Sequence, residues 1–194
     1  MLGENVYLNI INRARKYVYI CTPYLIIDNE MMTALCLAAK SGVDVRIMTP
    51  GVPDKKMVFL LTQSYYEQLL EAGVRVYEYQ PGFLHAKSFV CDDEIAVVGT
   101  INLDYRSLYL HFENACLFIY NAVVLQAKMT FCVRRKNPRR SSLKIWGISK
   151  SIEVCSAVSI TQSCGYLHRF CKKKSLGTLK QKMSIFCLLY TSPS

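Results

Sequence analysis

Apolar residues recur along the first two thirds of the chain in two patterns that alternate with each other. Where they have the three- and four-residue spacing of an amphipathic helix, we predict helices over residues 4–16, 28–41, 54–72 and 121–131. Short runs rich in Val, Ile, Tyr and Phe lie between them and predict strands over residues 17–21, 43–49, 74–79, 86–91, 95–98 and 113–120. Strands that alternate with helices imply an α/β layered domain, with a mostly parallel sheet and helices on both faces.

Capping and turn residues support several of these boundaries. Asp28 stands where a side-chain cap would begin the second helix, and Gly42 stands where that helix would end. Asp54 and Gly73 bracket the third helix in the same way. The polar run 92–94 predicts a tight turn between the strands 86–91 and 95–98.

A denser chemical signal lies in residues 83–102, FLHAKSFVCDDEIAVVGTIN. Residues two apart on a strand face the same side, so we expect His85 and Lys87 to point together into one site. An imidazole can attack phosphorus, or pass a proton to a leaving oxygen, near neutral pH. An ammonium beside it would neutralise charge on the non-bridging oxygens of a phosphate.

Three further polar residues complete this signal. Thr100 and Asn102 follow the second strand of the pair and could add hydrogen bonds to the same phosphate. Asp92 lies at the turn, an odd number of residues from His85, so we expect a structural or charge-balancing role for it. A single histidine near a strand is usually a structural residue whose hydrogen bonds are satisfied, and a single lysine is usually solvated. These polar residues together instead favour a phosphoryl-transfer site. His85 has no His or Cys partner at zinc-ligand spacing, so we expect no metal and no other cofactor.

The pattern H-x-K-x4-D-x6-G-T-x-N resembles the HKD signature of the phospholipase D superfamily. The runs LDYRSL and FEN that follow are similar to those of bacterial cardiolipin synthases. The resemblance implies a phospholipase D-like layered sandwich and phosphodiester exchange through a covalent phosphohistidine. It implies that His85, Lys87 and Asp92 are the catalytic set, and that Lys87, Thr100 and Asn102 hold the substrate phosphate. A TPY stretch like that of residues 22–24 lies beside the active site in this family, although a simple strand-ending turn explains it equally well here.

The same resemblance implies a phosphatidyltransferase that joins two phosphatidylglycerols and releases glycerol. Its partners would be phosphatidylglycerol and other phospholipids, the membrane surface, and an N-terminal HKD half of the same polypeptide. The family's enzymes carry two HKD sets, whereas this chain carries one, which is similar to the second. We therefore expect a fragment that is inactive alone, from a protein held at the bacterial cell membrane by N-terminal helices, with its catalytic domain outside the bilayer core.

Charge divides the chain into two parts. The formal net charge is +10, yet residues 1–127 carry 10 Lys and Arg against 13 Asp and Glu, a net of −3. Residues 128–194 carry 14 basic residues against one acidic residue, a net of +13. The basic excess therefore belongs to the tail, and we expect the catalytic part to bind no nucleic acid. No apolar run reaches the roughly 20 residues that span a bilayer.

The tail also loses the hydrophobic periodicity of the preceding chain. We expect residues 1–129 to form the catalytic domain and residues 130–194 to be a non-native or disordered segment. A shift of reading frame near Thr130 would explain the loss of acidic residues, and the final CLLYTSPS resembles translated sequencing adapter. A basic tail that binds anionic lipid or nucleic acid is the alternative, and the nucleotide sequence would distinguish the two.

Two other functions are compatible with these residues. A single-HKD nuclease of the same superfamily could build its site by homodimerisation. A non-catalytic lipid-binding module could keep the fold without the reaction, although it would have no need of the His, Lys and Asn set.

Overall fold

The computed structural model describes residues 2–135, 138–140 and 189–191. Within them lie the helices α1 (Leu2–Arg13), α2 (Asn29–Lys40), α3 (Lys56–Ser64), α4 (Tyr66–Glu71), α5 (Tyr105–Tyr109) and α6 (Ala122–Arg135). The strands are β1 (Tyr17–Cys21), β2 (Leu25–Ile26), β3 (Asp44–Pro50), β4 (Arg75–Tyr79), β5 (Ser88–Cys91), β6 (Ile95–Gly99), β7 (Leu103–Asp104), β8 (Glu113–Ile119), β9 (Pro138–Arg140) and β10 (Leu189–Thr191). Every strand and helix predicted from the sequence has a counterpart here, with boundaries shifted by a few residues.

The main sheet is mixed, so the prediction of a mostly parallel sheet is wrong. Its strand order is β10-β8-β6-β5-β1-β3-β4-β9. Only the pairs β1–β3 and β3–β4 are parallel, and the other five neighbouring pairs are antiparallel. The reversal starts at β5, which runs antiparallel to β1, and the tight turn after β5 makes β6 antiparallel to β5 in turn. The short strands β2 and β7 form a separate parallel pair.

The hairpin turn explains why two aspartates stand at its centre. Asp92 and Asp93 have φ values of 54° and 64°, and the Glu94 N–H donates to the Cys91 carbonyl at 2.9 Å. Positive φ at both central residues is the geometry of a type I′ turn, which matches the twist of the flanking strands. Aspartate tolerates that left-handed conformation better than most residues.

Helices cover both faces of the sheet, as predicted. On one face α1, α2 and α4 bury a large apolar cluster that includes Ile11, Leu35 and Leu69. On the other face Val124 and Phe131 of α6 pack over β1, where the Phe131 ring stacks on Tyr19 at 4.9 Å between centroids. The strands between these layers are apolar on both sides, which is why their sequence shows continuous apolar runs.

The third predicted helix, over 54–72, is two helices. It breaks at Tyr65, between α3 and α4, and Tyr66 beyond the break is fully buried with its hydroxyl 2.6 Å from that of Thr49. Asp54 does not cap α3 as expected, because its carboxylate accepts a hydrogen bond from the Tyr24 hydroxyl at 2.6 Å. The cap predicted at Asp28 is confirmed, since its carboxylate accepts from the Met31 N–H at 2.9 Å.

The segment 130–194, which we expected to be non-native or disordered, is described only in part. Residues 130–135 continue α6, β9 pairs with β4, and β10 pairs with β8. The remaining tail residues, including the final CLLYTSPS apart from 189–191, lie outside the described residues, and the suspected change of reading frame stays a prediction. No helix in the described ranges combines the length and the apolar character needed to cross a membrane.

Candidate active site

One edge of the sheet gathers the polar residues that the sequence singled out. The last residue of β1, Cys21, pairs with the first residue of β5, Ser88. Ser88 in turn pairs with Val98 near the end of β6, and Gly99 pairs with Ala115 near the start of β8. The loop before β5, the loop after β6 and the first residue of β8 therefore meet at the same edge.

His85 and Lys87 lie side by side at this edge. The Lys87 Nζ is 2.9 Å from the His85 Nε2, and it also donates to the His85 carbonyl oxygen at 3.0 Å. The expected pairing is present, but the reason given for it is wrong, because β5 begins only at Ser88. Both residues belong to the loop before the strand, and the carbonyl contact holds the lysine back against its neighbour.

This contact is compatible with one tautomer of a neutral imidazole. With the Lys87 ammonium as the donor, Nε2 is the accepting nitrogen, and the ring proton then stands on Nδ1. The side chain of His85 is exposed, and the Phe83 ring lies 5.5 Å from its ring, between centroids. The imidazole thus presents a basic nitrogen at an open site.

A cavity of about 370 Å³ opens beside these two residues. The sheet edge forms one wall and α6 forms the other. The residues that line it are Cys21, His85, Ala86, Lys87, Ser88, Val98, Gly99, Val123, Gln126, Ala127, Thr130, Phe131 and Arg134. Two cationic side chains, Lys87 and Arg134, therefore face a mostly apolar cleft, which suits an anionic group attached to an apolar molecule.

Two carboxylates act electrostatically on Lys87. Its partial burial lowers the pKa of the ammonium, whereas the charges of Glu113 and Asp104 oppose that shift. Both carboxylates belong to buried residues, where charges interact more strongly than in water. They favour the cationic form of Lys87, which is the form that a phosphate would meet.

Thr100 and Asn102 are engaged in a hydrogen-bond chain that ends on Glu113. The Asn102 Nδ2 donates to the Ser107 hydroxyl at 2.8 Å, and Ser107 donates to Glu113 Oε1 at 2.8 Å. The Thr100 hydroxyl donates to Glu113 Oε2 and accepts from the Asn114 N–H at 3.0 Å. The Asn102 Oδ1 is buried with no hydrogen-bond partner in the described part of the chain. Phosphate contact by Thr100 and Asn102 stays a prediction, because the structure directs both side chains towards Glu113.

Glu113 was not predicted to be a site residue from the sequence, where it was noted only as part of the FEN run. Its carboxylate nevertheless accepts hydrogen bonds from Thr100 and Ser107 and lies 3.5 Å from the His111 Nδ1. The available signal was an acidic residue at the first position of a strand whose last five residues are apolar. Thr22 is also close, because its hydroxyl accepts from the Leu103 N–H at 3.2 Å, next to Asn102, which places the TPY stretch beside the site.

Asp92 lies at the other end of β5 and takes no part in this group. Its carboxylate accepts from the N–H groups of Arg15, Lys16 and Tyr17 at 2.7, 2.9 and 2.7 Å. Five residue steps along β5 separate it from Lys87, a distance of about 16 Å along the strand. The structure supports the structural role expected for Asp92, which ties the hairpin to the start of β1, and places it away from the His85 imidazole.

Comparison with known proteins extends these observations. Residues 7–132 match the protein family described as "Cardiolipin synthase, PLD-like domain". A Streptococcus mutans protein described as uncharacterized is 56% identical over 139 residues, which are 72% of this chain and 30% of that protein. A cardiolipin synthase of Clostridium perfringens is 52% identical over 121 residues, which are 62% of this chain and 25% of that protein. The chain thus spans about a quarter to a third of the length of these relatives.

A solved structure confirms the fold. Nuc from Salmonella typhimurium, described as a phospholipase D family member, aligns with a TM-score of 0.63 at 18% identity, over 72% of this chain and 90% of that one. The layered sheet, the His–Lys pair at its edge and the family match agree with one another. The chain belongs to the family of cardiolipin synthase phospholipase D-like domains.

Proposed function

We propose that this chain is one catalytic half of a phosphatidyltransferase that makes cardiolipin from two molecules of phosphatidylglycerol. The observation that supports this most directly is the 2.9 Å approach of the Lys87 ammonium to the His85 Nε2 at the mouth of a mostly apolar cavity. Membership of the family gives phosphatidyl transfer as the reaction class. The particular substrates and the order of steps are our proposal.

The reaction would proceed in two displacements. A histidine of the other HKD half attacks the phosphorus of the first phosphatidylglycerol, and the bond between phosphorus and the glycerol oxygen breaks. His85, as an imidazolium, gives its proton to that oxygen, so glycerol leaves and a phosphohistidine remains. The neutral His85 then takes a proton from a glycerol hydroxyl of the second phosphatidylglycerol. The oxygen of that hydroxyl attacks the phosphorus, the bond between phosphorus and the nucleophilic histidine breaks, and cardiolipin forms as that histidine is released.

Lys87 has a separate task in this scheme. A non-bridging phosphate oxygen would replace the His85 Nε2 as the acceptor of its ammonium, which frees that nitrogen to exchange a proton. The ammonium would stabilise the negative charge that grows on the phosphorus oxygens in each transition state. Glu113 would support phosphate binding in two ways. Its charge favours the ammonium form of Lys87, and its carboxylate accepts a hydrogen bond that holds Thr100 near the same edge.

The rest of the enzyme follows from this assignment as proposals. The other HKD half would come from the same polypeptide, together with N-terminal helices that hold the protein at the bacterial cell membrane. The catalytic domain would then lie outside the bilayer core, next to its phospholipid substrates. His85, Lys87 and the polar groups around them would carry the reaction without a cofactor.

The test uses the complete enzyme that contains this domain, with radiolabelled phosphatidylglycerol in detergent micelles. We expect His85→Asn to lower cardiolipin formation by about 10²–10⁴-fold, the usual contribution of a general acid and base. Lys87→Met should lower it comparably, whereas Lys40→Met, a change of an exposed lysine on α2, should leave the rate unchanged. Both substituted site residues are exposed or half-buried, so the variants should fold.

The same preparation distinguishes the alternatives. Near-normal cardiolipin formation by His85→Asn would remove His85 from the mechanism. Cleavage of single-stranded DNA that depends on His85, with no transfer between lipids, would favour the homodimeric nuclease. Phospholipid binding with neither reaction would favour the non-catalytic module.

A further inference from the structure

Exposed apolar side chains surround the edge of the sheet that carries His85. Met57 is 57% exposed, Val52 is 45% exposed, and Phe83 is 40% exposed. Val52 follows the end of β3, Met57 lies in the first turn of α3, and Phe83 precedes His85 by two residues. Single exposed apolar residues are common, but several that converge around one polar site indicate a surface with a partner.

Hydrogen bonds hold these segments at one edge. The Gly51 N–H donates to the Tyr79 carbonyl at 2.8 Å, which fixes the loop after β3 against the end of β4. The Tyr24 hydroxyl donates to Asp54 at 2.6 Å, which joins the same loop to the segment after β1. Val52 and Met57 therefore extend from a loop that is anchored at the active-site edge, and the Phe83 ring lies there because it is 5.5 Å from the His85 ring, between centroids.

The charges between these apolar residues favour an anionic partner. Lys55 and Lys56 are exposed between Val52 and Met57 in the sequence. The one acidic residue of this loop, Asp54, is engaged by Tyr24. Apolar side chains interleaved with lysines are the composition of a segment that lies in the interface of an anionic bilayer.

We infer that this edge docks on the surface of an anionic phospholipid bilayer, with Met57 and Phe83 inserted at the boundary between headgroups and acyl chains. Lys55 and Lys56 would contact headgroup phosphates beside them. A phospholipid could then reach His85 with its acyl chains still in the bilayer. This inference rests on the proposed function, because it gives the lipid substrate its route to the cavity.

The test measures insertion with the whole 194-residue chain, since it needs no turnover. The single tryptophan, Trp146, is replaced by phenylalanine, and a reporter is introduced as Phe83→Trp or Met57→Trp. Leu37→Trp is the matched control, because Leu37 is 60% exposed on α2, near the helix end that leads away from this edge to the start of β3. The vesicles contain phosphatidylglycerol and phosphatidylcholine with brominated acyl chains, in high salt that screens the basic tail.

We expect the emission from positions 57 and 83 to shift to the blue and to be quenched by the brominated lipid, and the emission from position 37 to stay unchanged. Equal quenching at all three positions, or none at 57 and 83, would overturn the docking surface. A blue shift at 57 and 83 that grows with protein concentration without vesicles would show a second copy on this edge, and would also overturn it.

Affinity gives an independent measurement. The double substitution Met57→Ser and Phe83→Ser should weaken vesicle binding in high salt by about tenfold, the loss expected for two partly inserted side chains. Leu37→Ser should have no effect, and unchanged binding by the double variant would contradict the inference. His85→Asn in this chain should still insert, while the same substitution in the complete enzyme should abolish transfer, so the two measurements test the docking surface and the proposed function separately.

Discussion

Gly99 lies where β6 approaches β8 most closely. A Cβ atom at this position would be 2.2 Å from the Asn114 carbonyl oxygen and 2.5 Å from the Ala115 Cα. Both are backbone atoms of the neighbouring strand, so no side-chain rotation could relieve the overlap. The glycine of the H-x-K-x4-D-x6-G-T-x-N pattern is therefore required by strand packing, and it brings Thr100 and Glu113 within hydrogen-bond distance.

We predict that Gly99→Ala destabilises the protein by about 1–3 kcal/mol, the usual effect of overpacking. The free energy of unfolding by urea measures it. Gly82→Ala is the control, because nothing lies within 4 Å of a Cβ built there, and its effect should be within about 0.5 kcal/mol. Equal stability of the two variants would show that β6 and β8 can separate without cost.

The residue types of the site could be predicted from sequence more readily than their contacts. His85 and Lys87 were identified from spacing and chemistry, but strand alternation could not explain their approach, because the strand starts after both. Asp92 was expected to be structural because it lies at the turn, an odd number of residues from His85, and its three backbone N–H donors agree with that role. The catalytic role that the resemblance implies for it stays a prediction. Glu113 was missed because its partners come from residues 100 and 107, and long-range hydrogen bonds leave no local pattern.

At the scale of elements, a buried pair of carboxyl groups joins three helices. The Tyr109 hydroxyl, at the end of α5, contacts Glu4 of α1 at 2.6 Å and also bonds to Asp28, the cap of α2. Burial and the neighbouring Asp28 raise the pKa of Glu4 to about 7, and the pKa of Asp28 is lowered by its hydrogen bonds to Glu4, Tyr109 and Met31 despite burial. Of the two carboxyl groups, Glu4 is therefore the one whose protonation is favoured in the folded state.

We predict that this proton makes stability depend on pH. Between the ordinary Glu pKa of 4.5 and the folded value of about 7, the folded state binds the proton and the unfolded state does not. The protonated Glu4 therefore makes its full contribution to the free energy of unfolding below pH 4.5. That contribution is lost as the pH rises to about 7. The measurement is the free energy of unfolding by urea as a function of pH across that window.

Glu4→Gln isolates this effect. The amide keeps a hydrogen-bond partner for Tyr109 but does not ionise, so the loss of stability with rising pH should become smaller. Above pH 7 the variant should be more stable than the natural chain. Glu67→Gln, a change of an exposed residue on α4, should preserve the original dependence. An unchanged slope in Glu4→Gln would show that another group titrates in this range.

Element types followed from periodicity, whereas their directions and breaks did not. Apolar spacing identified α1, α2 and α6, but it could not show that β5 runs antiparallel to β1. The break at Tyr65 was hidden because both α3 and α4 continue an apolar stripe. The strands β2 and β7, of two residues each, and the five-residue helix α5 are shorter than any window in which periodicity can be recognised.

At the scale of the whole molecule, the proposed double displacement needs two imidazoles at one phosphorus. The described part of the chain supplies His85 to the cavity, while His111 lies beside Glu113 at 3.5 Å. The two relatives that are 56% and 52% identical to this chain are each three to four times as long as the region that matches it. In the proposed mechanism a second HKD half would complete the site, from the same polypeptide or from another copy of this chain.

We predict that the purified 194-residue chain alone forms no cardiolipin from micellar phosphatidylglycerol at any protein concentration. If two copies instead built a shared site, the rate per unit of protein would rise with concentration, because association would precede catalysis. The measurement is the rate of labelled cardiolipin formation over a wide concentration range, with the His85→Asn chain as the background. Activity that is proportional to concentration, and absent in that variant, would mean that one His–Lys pair is sufficient and that the two-histidine mechanism is wrong for this domain.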